Sequence, residues 1–173
     1  FCTLLFAIFV QFLFANQPYH FSHLSVKDGL SQLNVTCIYQ DKLGYIWFGT
    51  RNGLNKFNGN SFEVYWNHAD NPHSISSNII NCMAEDAEGN LRVGTENGLN
   101  RLDKNKNEFK RYHINQQENK DKNKITSLCL DQQGTLWIGA ASEGLFAYTP
   151  QGDSLKNIST KELKGNWVND IIE

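Results

Sequence analysis

This sequence has no surplus of positive charge: 16 lysines and arginines stand against 18 aspartates and glutamates, for a formal charge of −2. Gripping phosphate backbones needs a basic face, so this segment is not expected to bind nucleic acid. It is poor in the motifs of catalysis and metal binding. The five histidines, at 20, 23, 68, 73 and 113, form no HExxH or other ligand spacing, and no GxSxG elbow, Walker loop or GxGxxG turn is present. We therefore expect no catalytic residues, no metal and no cofactor. The four cysteines include no CxxC pair; Cys37, Cys82 and Cys129 lie in apolar strand-like runs and are expected to be buried thiols. Helical periodicity is missing beyond residue 15.

What the chain does have is length enough for a sizeable core, 173 residues, and an uncharged apolar start, "FCTLLFAIFVQFLFA". Fifteen such residues suit the apolar region of a signal peptide, with Ala15 before Asn16 as a cleavage position. A retained signal anchor is the alternative. The start at Phe1, without Met or a basic leader, predicts that the sequence is a fragment.

It also has a repeat. The pattern Asp-x-x-Gly-x-apolar-x-apolar-Gly recurs from Asp41, Asp86 and Asp131; its glycines fall at 44, 89 and 134 and at 49, 94 and 139, a period of about 45 residues. A strand-like run precedes each copy ("VTCIYQ", "INCMAE", "ITSLCL"). "TRNGLNKF", "TENGLNRL" or "AASEGLFAY" follows, and then "SFEVYW" or "EFKRYH" in the first two copies. In "DKLG", "DAEG" and "DQQG" the Asp accepts backbone N–H groups and Gly takes positive φ, closing a hairpin. Each unit thus predicts a four-stranded antiparallel meander.

Strand alternation puts Ile46 and Phe48 on one face, with Leu91, Val93, Leu136 and Ile138 in the other copies, and Trp47 and Trp137 on the opposite face. Two apolar faces require cover on both sides. All-β, four-stranded, repeated every 45 residues and covered twice describes a β-propeller blade. The expected organisation is a signal segment at 1–15 and a partial propeller over 16–173, with blades at about 30–66, 75–115 and 120–160. "VNDIIE" from Val168 starts a fourth, so that the ring is incomplete and Asp-x-x-Gly should follow. Arg92 stands where the tryptophans do; its stem should pack and its guanidinium stack on a ring or meet a Glu.

In such a meander the Asp-x-x-Gly turns crowd one end of the sheets. The next turns crowd the other, with the interblade loops at 67–78 and 116–124. This second face carries the candidate ligand-binding residues Arg51, Asn52, Trp66, Glu96, Asn97, Ser142 and Glu143, polar groups and an aromatic suited to sugar hydroxyls and ring faces.

The stretch "FSHLSVKDGLSQLNVTCIYQDKLGYIWFGTRNGLNKFNGNSFEVY", with "HSISSNIINCMAEDAEGNLRVGTENGLNRLD" and "KITSLCLDQQGTLWIGAASEGLFAY", resembles the two-component regulator propeller repeats found at the N-terminus of bacterial hybrid two-component sensors. The resemblance covers roughly residues 19–173. It implies a periplasmic sensor of two seven-bladed propellers, a β-sandwich domain, a membrane helix and a cytoplasmic histidine kinase, often with receiver and DNA-binding domains. It also implies an oligosaccharide ligand, a homodimer of the parent protein, anchoring in the inner membrane, and a first strand, "HFSHLS", that locks the ring. Arg92 and Ala140 depart from the pattern. Two rival functions stay open: a secreted propeller enzyme acting on polysaccharide as lyase or glycosidase, and a scaffold that binds proteins.

Overall fold

The computed structural model describes residues 21–114, 123–149, 153–158 and 167–172. The expected signal segment and most of the 116–124 loop lie outside them. Twelve strands build three sheets, each a meander of four neighbouring antiparallel strands. The first holds β1 (Val35–Gln40), β2 (Ile46–Thr50), β3 (Gly53–Phe57) and β4 (Phe62–Tyr65). The second holds β5 (Ile80–Glu85), β6 (Leu91–Thr95), β7 (Gly98–Asp103) and β8 (Glu108–Tyr112). The third holds β9 (Ile125–Leu130), β10 (Leu136–Ala140), β11 (Gly144–Thr149) and β12 (Ser154–Asn157). The two expectations of four-stranded units and an all-β fold hold.

The hairpin turns form by the chemistry their residues offer. Asp41 Oδ1 accepts the N–H groups of Leu43 and Tyr45, both at 3.0 Å. Asp86 and Asp131 do the same for Glu88 and Asn90, and for Gln133 and Thr135. Gly44, Gly89 and Gly134 sit at φ between 77° and 88°, a region that costs an L-residue about 1–2 kcal/mol.

Register decides which faces meet. Tyr39, Trp47, Lys56 and Glu63 lie opposite one another across the first sheet, and Arg92 and Arg101 are partners in the second. The Trp47 face of the first sheet packs on Met83, Leu91, Val93, Leu102 and Phe109 of the second. The opposite face of the second, with Ala84, Leu99 and Tyr112, packs on Leu136, Ile138, Phe146 and Tyr148 of the third. The stacking therefore has a direction, one kind of face always meeting the other. The middle sheet is covered on both sides, and Ile38, on the outer face of the first, is 63% exposed.

The glycines that end each burst make this stacking possible. A Cβ on Gly49 would sit 2.5 Å from Cys37 Sγ and 2.8 Å from Ile80 Cγ2; on Gly94, 2.5 Å from Cys82 Sγ and 2.6 Å from Ile125 Cγ2; on Gly139, 2.8 Å from Val168 Cγ1. Ile80, Ile125 and Val168 thus each enter the notch left by the preceding sheet's glycine. A side chain on the first strand ties each junction: Thr36 Oγ1 donates to the Ile80 carbonyl at 2.6 Å, Asn81 Nδ2 to that of Ile125 at 2.8 Å, and Thr126 Oγ1 to that of Val168. Residues 167–172 form no strand, but Val168 also donates its N–H to Ala140 O at 3.3 Å.

The three cysteines are free and, as whole residues, half-buried, with the thiols of Cys37 and Cys82 packed into the glycine notches. Burial pushes the Cys37 thiol up, and that of Cys82 further. Residues 21–25 of the segment expected to lock the ring are not in a strand, and the last blade that they would complete is not among the described residues; Ser25 begins a capping box with Asp28 over the short turn Val26–Asp28.

Candidate functional site

The turn aspartates do more than close hairpins. The second oxygen of Asp41 accepts the Trp47 indole N–H at 3.0 Å, and Asp131 accepts that of Trp137 at 2.8 Å. In the middle sheet Arg92 Nε donates to Asp86 at 2.7 Å. Arginine can replace tryptophan here because both carry one N–H that reaches the carboxylate six residues back. Its acid is therefore the turn Asp, not a Glu. The rest of the guanidinium, with no exposed surface, lies 3.9 Å from the Tyr148 ring centroid and 5.4 Å from that of Tyr112. Burial acts most strongly and disfavours the charge, but Asp86 and Tyr148 outweigh it and the net shift is upward.

A second polar set closes each loop end. Ser31, Thr50 and Asn55 bond in the first sheet, and Ser76, Thr95 and Asn100 in the second, with Ser Oγ to Thr Oγ1 at 3.0 and 2.9 Å. In the third sheet Ala140 and Phe146 occupy the Thr and Asn positions. At Ala140 the hydroxyl is thus lost together with its Asn partner, both positions being apolar in this sheet.

At this loop end lie the seven residues predicted to bind ligand. Arg51, Asn52 and Ser142 are exposed at the β2–β3 and β10–β11 turns. Trp66 is 42% exposed and donates its indole N–H to the Asn52 carbonyl at 3.1 Å, so Arg51, Asn52 and Trp66 form one group. Glu96 pairs with Lys124 at 2.9 Å. Asn97 holds Thr95 Oγ1 by its backbone N–H and the Ser76 carbonyl by its side chain, while the Glu143 carbonyl accepts from Asn157.

The opposite end of the sheets carries a feature the sequence did not announce. A cleft of about 190 Å³ opens between the outer halves of the first two sheets, lined by Trp47, Tyr45, Tyr65, Leu102, Lys56, Lys104, Asn107, Leu43 and Asp41. Tyr65 donates its hydroxyl to Asn107 Oδ1 at 2.8 Å, and Asn107 Nδ2 donates to Glu63 at 3.0 Å. The equivalent junction between the second and third sheets keeps this clasp but changes its charges. Tyr112 donates to Asp153 at 2.6 Å, and Lys110 donates to the other oxygen of Asp153. Asn107 and Asp153 both hold positive φ, 58° and 41°. The hydrogen bonds from Lys110 and Tyr112 lower the Asp153 carboxyl to about 2.

Among the described residues no group of three His, Cys, Asp or Glu could hold a metal, and no helix is long and apolar enough to cross a membrane.

Directionally stacked four-stranded meanders, pinned by Asp-x-x-Gly turns, are the blades of a β-propeller. The model of the two-component regulator propeller family matches residues 29–52 and 120–142, within the first and third of these repeats. It is 48% identical over 61 residues to a histidine kinase, P4, of Formosa agariphila, a match covering 35% of this chain and 4% of that protein. It superposes with a TM-score of 0.73 and 27% identity on the extracellular domain of a protein from B. thetaiotaomicron described as a hybrid two-component system, over 87% of this chain and 22% of that one. A further extracellular domain from the same organism, 24% identical with a TM-score of 0.68 over 87% of this chain and 20% of that one, shares the fold. The chain thus spans less than a quarter of the length of these relatives.

Proposed function

We propose that this chain belongs to the extracytoplasmic, periplasmic sensory propeller of a two-component signalling protein, and that the propeller detects oligosaccharides and controls a histidine kinase beyond it. The observation that carries this reading is the repeated blade itself, which superposes over most of the chain on the extracellular domain of a hybrid two-component system. The loop end supports the ligand class: Arg51, Asn52 and the partly exposed indole of Trp66 offer hydroxyl partners beside a ring face. Signalling then requires a ligand that binds two arrangements of a propeller homodimer unequally.

Calorimetric titration of the full-length protein with oligosaccharides released from a broad set of polysaccharides tests the ligand class. One or a few should bind, and the same fragments should not be shortened by the protein. Silence across the set would overturn sugar sensing, and new reducing or unsaturated ends would favour the enzyme reading.

A further inference from the structure

The two junctions between successive sheets are built on one plan but lined differently, and the first holds the cleft. Position by position, Trp47 corresponds to Arg92, Lys56 to Arg101, Leu102 to Tyr148 and Asn107 to Asp153. In the second junction the Tyr148 ring lies against the Arg92 guanidinium and fills the space, and Asp153 gathers Lys110, with Arg101 at 4.0 Å. In the first, Leu102 is too short to fill it, and neutral Asn107 offers no counter-charge. Among the described residues Lys56 has no ion-pair partner; its ammonium rests 4.1 Å from the Tyr45 ring centroid. The cleft that results has an apolar floor made by the rings of Tyr45 and Tyr65 and by Leu43, with Trp47 and Leu102 buried beneath it and Lys56, Lys104 and Asn107 at the rim.

We propose that this cleft is a subsite for one pyranose ring of a neutral sugar. Its volume of about 190 Å³ suits a single ring, not a nucleotide or a peptide. The charges at the rim are mixed. Lys56 and Lys104 line the cleft together with Asp41, while Lys104 holds Glu85 at 3.1 Å and Asn107 holds Glu63. Neither an anion nor a cation gains from that balance, whereas hydroxyls use donors and acceptors alike and a sugar's C–H face suits the apolar floor. The site lies at the Asp-x-x-Gly end, across the sheets from Arg51, Asn52 and Trp66, so it is separate from the loop-end group. It rests on the sugar-sensing reading for the choice of ligand, not for its location.

The test is titration of the full-length protein with the methyl glycosides of glucose, galactose, mannose and xylose, by calorimetry and by saturation-transfer NMR. At least one should bind. Leu102→Tyr, which puts a ring where Tyr148 stands in the next junction, should weaken it at least tenfold while circular dichroism shows the protein still folded. Lys56→Met, which removes a rim donor at a half-exposed site, should weaken it severalfold, and Lys156→Met, the same change at an exposed position on β12 away from both the cleft and the loop-end group, should leave it intact. Wild-type affinity in both cleft variants, or an equal loss in Lys156→Met, would overturn the subsite while leaving sugar sensing in place. Failure of all four glycosides would also overturn it, and sugar sensing would fall only if longer oligosaccharides were silent too. If Leu102→Tyr does not fold, Lys56→Met decides.

Discussion

At the scale of the residue, the turn aspartate is the busiest group in each blade. One oxygen holds two backbone N–H groups and the other holds an indole or guanidinium N–H, so Asp41 at 4% exposure has its acceptors occupied. Trp47→Phe keeps most of the ring but orphans that carboxylate oxygen; we expect a loss of about 2 kcal/mol in urea unfolding, within the cost of a buried unpaired acceptor. Arg92→Met should cost more, roughly 3 kcal/mol, since it strands a buried charge. Asp153 makes a prediction in pH. Its folded pKa, about 2, lies below the usual carboxylate value, so its contribution is present above pH 4 and lost as pH falls through 2. Asp153→Asn should flatten the acid limb of the stability curve between pH 4 and 2, by a small amount because the group is 44% exposed and screened. A mutant curve parallel to wild type there would contradict the clasp. The Asp and Gly of each turn were legible in the sequence because their partners lie within four residues. The bond to residue i+6 was not, since it depends on which face of the hairpin Trp47 and Arg92 occupy. The clasp pairs residues more than 40 apart, Tyr65 with Asn107 and Tyr112 with Asp153, and no single-copy pattern shows it.

At the scale of the element, two kinds of glycine punctuate each blade for different reasons, and a mutant pair separates them. Gly44 has φ of 88°, and a Cβ placed on it would meet nothing within 4 Å, so Gly44→Ala should cost only the strain, about 1–2 kcal/mol. Gly94 has ordinary backbone, but its Cβ would overlap Cys82 and Ile125. Gly94→Ala should therefore cost about 3 kcal/mol or more, through overpacking, and should loosen the junction between the second and third sheets. Chemical denaturation of both variants gives the ranking; equal losses would refute the notch. Both glycines stood out in the repeat, and the hairpin role of the first could be argued from turn chemistry. The role of the second needed the neighbouring sheet, because Ile80 and Ile125 belong to the next copy of the motif and not to the one they touch.

At the scale of the whole molecule, the repeat period and the strand alternation were enough to predict meanders covered on both faces, and the family match agrees with the resemblance carried by "DKLGYIWFGTRNGLNKF" and its copies. What the sequence left open is which face meets which, and hence that two equivalent junctions differ: Leu102 and Asn107 stand in the first where Tyr148 and Asp153 stand in the second. That difference arises from four scattered positions whose shared surroundings appear only when the sheets stack. The central claim is the proposal that the propeller reports sugar to a kinase. It is tested most directly by reconstituting the full-length protein in sealed vesicles and measuring histidine phosphorylation from ATP, with the oligosaccharide that binds added to the propeller side or withheld. The account predicts a change in phosphorylation that depends on the sugar and on that side of the membrane; an unchanged level, or no phosphohistidine at all, would contradict it.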